Sequence, residues 1–192
     1  MEAQIPYLNE WLQLARTGNF DKAQEIYFEK LFAAVIDNFK EKHENMLQKG
    51  GILFSVLGFS PEPIILTAKT VEPQIRVIFT TNNQSEGSEY LEKYLESDYE
   101  MVYLLDEKFE TMYRALKEQL YLNPSSQIIL DITGGKKSMV AAASIFGKDY
   151  GCRIIYVDFT NYIKDLRKPM PGSEVLNIVY NPFENQPEIF NK

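Results

Sequence analysis

The sequence predicts an α/β fold: a Rossmann-like, mostly parallel sheet with helices on both faces, an N-terminal helical hairpin and an antiparallel edge strand. Three observations predict it. After Gly50-Gly51, short runs rich in valine, isoleucine and phenylalanine alternate with amphipathic stretches, the rhythm of strand–helix–strand units. The runs are apolar throughout rather than at every second residue, so both faces of each strand are buried, as in a parallel sheet. Glycine, proline and hydroxyl residues gather where strands hand over to helices, at 57–63 and 131–138.

The elements follow in order. Residues 7–47 predict two helices. Trp11, Leu12, Leu14 and Ala15 form one stripe, Thr17-Gly18-Asn19 interrupts it, and Phe20, Ala23, Ile26, Tyr27, Leu31, Ala34, Val35 and Phe39 resume it at helical spacing. Gly18-Asn19-Phe20-Asp21-Lys22-Ala23 looks like one tetratricopeptide turn, but a single unit cannot form a solenoid, so a packing hairpin or dimer-contact element is expected rather than a peptide-binding array. Strands are then predicted at 52–57, 76–80, 101–105, 127–132 and 153–159, with helices at 61–70, 88–96, 108–121 and 136–150. Residues 160–172 read as a polar loop and 175–180 as the edge strand. The expected organisation is a hairpin at 1–49, the α/β domain at 50–180, and a tail or linker at 181–192 with no pattern of its own.

Composition narrows the function. A chain of 192 residues supports one good core with a small appendage. The formal net charge of -7 disfavours long nucleic acid as a partner, although a few lysines at a helix start can still hold a small anion. The lone Cys152 permits no intramolecular disulfide and fits a reducing cytoplasm. No run approaches the length of a membrane span, so no membrane partner is expected.

In an open α/β sheet, ligands sit beyond the carboxyl ends of the strands. Three predicted loops leave that edge. In the first, Leu57-Gly58-Phe59-Ser60-Pro61-Glu62-Pro63, Gly58 permits the turn and Ser60 can cap the helix. The second, 80–85, holds neutral hydrogen-bonding residues, among them Thr81 and Asn82. The third, Asp131-Ile132-Thr133-Gly134-Gly135-Lys136-Lys137-Ser138, joins a buried strand to a helix through a tight glycine turn. It brings N–H groups, two lysines and two hydroxyls around one small space, which is chemistry for holding a phosphate. It is not a P-loop: the residue five before Gly135 is Leu130, and Lys136 is followed by Lys137 instead of serine or threonine. No strand-to-helix turn carries Gly-x-Gly-x-x-Gly either.

The first and third loops together resemble the CARF domains, the CRISPR-associated Rossmann-fold sensors, in which the fourth strand enters an Asp-x-Thr-Gly-Gly-Thr-Lys loop. The likeness covers roughly residues 50–180. Lys136 stands where the family usually has threonine, and Lys137 keeps the family lysine. The resemblance implies a homodimer that binds a cyclic oligoadenylate, the second messenger of type III CRISPR antiviral defence, across its two-fold axis. It implies that the domain acts as an allosteric sensor for an effector, fused or separate, with cyclic tetra-adenylate favoured over hexa-adenylate. Carried over, Gly58, Phe59, Ser60 and Pro61 would meet ribose and adenine. Thr133, Gly134, Gly135 and Lys137 would hold phosphate or the 2′-hydroxyl, with Asp131, Lys136 and Ser138 beside them and Thr81 and Asn82 at adenine edges. Two alternatives stand beside this one. A ring nuclease would cleave the messenger without metal, using Ser60, Thr133 and Lys137. An unrelated nucleotide-binding regulatory protein would bind a mononucleotide as a monomer.

Other residues carry less. Asp131 is expected to fix its loop through backbone N–H groups rather than catalyse. Asp131 and Asp158 are weak evidence for a metal, so no metal and no cofactor is expected. His43, in a charged helical stretch, is expected to be solvated, leaving no histidine for general-base chemistry, and Trp11, Phe20, Tyr27 and Phe32 are expected in the core.

Overall fold

The computed structural model describes residues 5–81 and 88–190. The chain divides into two compact units. One comprises 1–47 with 158–175; the other comprises 48–157 with 176–192.

The larger unit is built on a six-stranded sheet. Strands β1 (Ile52–Val56), β2 (Ile75–Thr81), β3 (Glu100–Leu104), β4 (Ile128–Asp131), β5 (Arg153–Phe159) and β8 (Glu174–Tyr180) lie in the order β3-β2-β1-β4-β5-β8. Neighbours from β3 to β5 run parallel, with Ser55 opposite Asp131 and Asp131 opposite Ile155 in register. Helices α4 (Glu62–Val71), α5 (Ser88–Leu95), α6 (Phe109–Leu122) and α7 (Lys137–Asp149) connect them.

All five residues of β1 are buried, as its unbroken apolar pattern demands. Ile52, Phe54 and Val56 point into one core with Val77, Phe79, Leu130 and Ile154, sealed by Met112 and Leu116 of α6 and Met139, Ala142 and Phe146 of α7. Fully burying a side chain such as Phe79 or Phe146 contributes about 1.5–3 kcal/mol. Alternate strand residues face the other way. On that side α4 packs against β1 and buries Ile64, Ile65, Thr67 and Ala68.

The smaller unit contains α1 (Leu8–Arg16), α2 (Phe20–Ile26), a five-residue π-helical turn (Tyr27–Leu31) and α3 (Phe32–His43), with 158–175 folded against them. The wider π turn lets the buried residues Phe28, Leu31 and Phe32 turn inward together. Tyr27 stacks on Phe32 at 5.3 Å and Phe28 meets Phe32 edge-on at 5.5 Å. Asn38 Nδ2 donates to the carbonyl of Gly172 at 3.0 Å, and Arg16 pairs with Asp165 at the surface.

Several expectations need correction. His43 is buried rather than solvated: it packs on Phe39 at 4.7 Å, lies 3.2 Å from the Met46 sulfur, and burial holds its pKa below the usual histidine value. Phe20 is exposed, because it opens α2 on the outer side. Residues 160–172 contain a two-stranded hairpin, β6 (Tyr162–Ile163) with β7 (Lys168–Pro169). The segment 181–190 forms two short helices, α8 (Pro182–Asn185) and α9 (Pro187–Phe190). Asn181 caps the first through the Phe183 N–H, and the Phe190 ring sits against Gly151. Among the described residues, no helix is long and apolar enough to cross a membrane.

Candidate functional site

Strand order reverses between β1 and β4. From β1 the chain builds outward through β2 and β3; from β4 it builds the other way through β5 and β8. The crevice beyond the carboxyl ends of these two strands is the switch point at which α/β sheets bind ligands. The first and third sequence-predicted loops leave these two strands, so the topology brings them together.

They touch through their backbones. A Cβ on Gly134 would lie 2.3 Å from the Val56 carbonyl oxygen and 2.5 Å from the Gly58 nitrogen, distances no side chain tolerates. Gly135 adopts φ +87°, and a Cβ there would strike Val56 Cγ1 at 2.4 Å. Gly58 faces the same pair: a Cβ there would lie 3.0 Å from the Gly135 nitrogen and 3.2 Å from the Gly134 Cα. The glycines are thus required for contact between the loops.

Beneath them lies a buried carboxylate. Asp131, 1% exposed, accepts from the Thr133 N–H at 2.9 Å and from the Thr133 hydroxyl on Oδ1. Its Oδ2 accepts from the Thr67 hydroxyl of α4 at 2.8 Å. Burial raises the Asp131 pKa, while the bonds from Thr133 and Thr67 pull it back down. The Thr133 hydroxyl in turn accepts from the Val157 N–H of β5 at 2.8 Å, so its proton is committed to Asp131 and its lone pair to β5. Sequence reasoning foresaw the loop-fixing role of Asp131. It missed Thr67, whose only signal is a hydroxyl on a mostly apolar helix that also buries Thr70.

Above the turn, α7 starts at Lys137 with no side chain capping it. The first intrahelical bond to this turn runs from the Val140 N–H to the Lys136 carbonyl, so the N–H groups of 137–139 precede the helical ladder, as at any uncapped start. Lys136, Lys137 and Ser138 are exposed. Lys136 Nζ lies 3.9 Å from Glu107 of the β3–α6 loop, and the Ser138 hydroxyl donates to the Glu107 carbonyl oxygen. Glu107 is a second residue that sequence reasoning missed: it places an acidic group beside the lysine that departs from the CARF pattern. Lys137 has no carboxylate partner among the described residues.

The first loop lies open. Phe59 is 80% exposed and Ser60 is exposed. Ser60 does not cap α4, as its position suggested. The cap residue is Pro61, one residue later, and Pro63 occupies the first helical turn, where a missing N–H costs nothing. Thr81 belongs to β2 rather than to the second loop; its hydroxyl is buried without a hydrogen-bond partner among the described residues. Asn82 and the rest of that loop to Ser85 lie outside the described residues. No group of three His, Cys, Asp or Glu side chains that could hold a metal occurs among the described residues.

This arrangement presents backbone N–H groups, a lysine with no carboxylate partner among the described residues and an exposed aromatic ring on one floor, which suits a ligand with both phosphates and flat bases. The chain is 28% identical over 173 residues to the CRISPR system endoribonuclease Csm6 of Thermus thermophilus; the match covers 86% of this chain and 37% of that protein. Among solved structures, Can2 from Sulfobacillus thermosulfidooxidans in complex with cyclic tetra-adenylate matches with a TM-score of 0.51 at 24% identity, over 56% of this chain and 32% of that one. Csm6 from Enterococcus italicus bound to cyclic hexa-2′-fluoro-hexa-dAMP matches with a TM-score of 0.51 at 16% identity, over 75% of this chain and 45% of that one. The larger unit shares the fold of these structures, a Rossmann-like sheet of mostly parallel strands flanked by helices. The chain spans little more than a third of the curated relative's length. No family model matches the chain.

Proposed function

We propose that this chain is a sensor module of type III CRISPR defence: a cytoplasmic CARF domain that binds a cyclic oligoadenylate as a homodimer and controls an antiviral effector. The observation that carries this reading is the backbone contact between Gly58 and Gly134-Gly135 at the switch point, which fuses two ligand loops into one floor. One chain contributes a single copy of each loop. A cyclic ligand with repeating phosphates and adenines matches two copies related by a two-fold axis. In this reading the α7 N-terminus and Lys137 hold a phosphate, and Phe59 and Ser60 meet a nucleoside. The Csm6 and Can2 likenesses support the choice of ligand class.

A sensing role fits the site better than ring cleavage. The Thr133 hydroxyl, one candidate for cleavage, is held between Asp131 and the Val157 N–H. Isothermal titration with cyclic tetra-adenylate and cyclic hexa-adenylate tests the proposal, with the tetra-adenylate expected to bind more tightly. Absence of heat and of any thermal shift with both rings would overturn it. Chromatography of the ring after prolonged incubation separates the two readings: an intact ring is expected.

A further inference from the structure

The buried hydrogen bonds beneath the loops extend further than the ligand floor requires. Thr67 sits on the second turn of α4, whose first turn is the end of the Phe59-Ser60-Pro61 loop. Its hydroxyl lies 2.8 Å from Asp131 Oδ2, and 3.0 Å and 3.1 Å from the carbonyls of Pro63 and Ile64. With one proton to give, it donates to the carboxylate, because a charge-assisted bond is stronger and shorter than one to a carbonyl. Asp131 passes the connection to Thr133, and Thr133 accepts from the Val157 N–H. One continuous chain of bonds therefore joins α4, the end of β4, the glycine turn and β5. Thr67 is wholly buried and Asp131 almost so, leaving no water to substitute for a lost member.

We infer that Thr67 is a positioning residue for the ligand site: acting through Asp131, it bolts the helix that follows the first loop to the glycine turn of the third. The inference rests on the function proposed above for the site, but not on the identity of the ring. The glycine contacts press the loops together without directional bonds. The Thr67–Asp131–Thr133 bonds supply the direction and fix where the Gly134 and Gly135 N–H groups point. If this bolt is removed, the turn must be ordered when ligand arrives, and affinity falls by that ordering cost. The same bolt gives a route by which a ligand seated on the turn biases α4 and β5 together.

The test compares wild type, Thr67→Val, Thr67→Ser and Val71→Ala. The last removes buried apolar volume from the same helix without touching the bonds. Backbone amide exchange at 133–138 is measured without ligand, and affinity for cyclic tetra- and hexa-adenylate is measured by titration. Thr67→Val is expected to speed exchange in the turn about tenfold and weaken ring binding about tenfold, the loss of one hydrogen bond to a charged group. Thr67→Ser should match wild type, and Val71→Ala should lower the melting temperature while leaving turn exchange and affinity near wild type. Should Thr67→Val not fold, Thr67→Cys, a weaker donor of similar size, is read in the same way. Turn exchange in Thr67→Val equal to wild type, or no faster than in Val71→Ala, overturns the inference. Wild type that binds neither ring overturns the proposed function instead, while the exchange comparison still judges Thr67.

Discussion

At the scale of single residues, the two lysines of the glycine turn separate into different roles. Lys136 has an acidic neighbour, Glu107, but both side chains are exposed and 3.9 Å apart, so solvent screens the pair and it contributes little. Lys137 opens α7 without such a partner among the described residues, placing its charge where the helix dipole already favours an anion. Lys137→Ala should therefore weaken cyclic tetra-adenylate binding about 10- to 100-fold, the loss of a charge-assisted bond to phosphate. Lys136→Thr, which restores the CARF pattern, should change affinity less than about fivefold. Titration of both variants at one salt concentration checks this. A larger loss from Lys136→Thr than from Lys137→Ala would reverse the assignment and make Glu107 the natural competitor of the ligand phosphate.

Among the elements, the start of α6 shows how a loop beside the site is held. Asp106 accepts from the Lys108 N–H at 3.1 Å and the Thr111 hydroxyl at 2.6 Å, and pairs with the Lys108 ammonium at 2.9 Å. The bond from Thr111, then those from Lys108, lower its pKa to about 2. A carboxyl whose folded pKa lies below its unfolded value contributes stability that is complete above the unfolded value and lost as pH falls through the folded one. The first turn of α6 should therefore stay ordered at pH 4 and fray as pH falls towards 2, read as faster amide exchange at Lys108 and Thr111. Asp106→Asn should lack the step. Elements of this kind were largely legible in the sequence, since apolar runs and helical spacing placed the five parallel strands and four connecting helices to within a residue or two. The glycine turn was legible because Gly134 and Gly135 have few other reasons to lie between a buried strand and a helix. What stayed hidden depended on distant partners. His43 looks solvated until Phe39 and Met46 close over it, and Thr67 looks like one more helix residue until Asp131 arrives from β4. The π turn at Tyr27–Leu31 has no sequence period that announces it.

For the whole molecule, the question is whether one chain makes a complete site. The floor carries one Phe59, one Lys137 and one glycine turn, with Phe59, Ser60 and both lysines open to solvent. A mononucleotide would be satisfied by one such set. A cyclic oligoadenylate repeats its phosphates and bases around a ring, and one set leaves the rest of the ring in water. The chain's charge of -7 opposes a broad attraction to polyanions, so in the proposed reading tight binding comes from these few local groups used twice. Titration with cyclic tetra-adenylate should therefore break at half a ring per chain. Sedimentation should show a dimer, more stable against dilution when ring is present, because a ligand that bridges two chains stabilises their association by mass action. Inflection at one ring per chain, with sedimentation as a monomer, would defeat the two-fold floor while leaving the phosphate-binding turn intact. In that outcome Lys137→Ala would still lower affinity, and the site would be that of a mononucleotide-binding regulator.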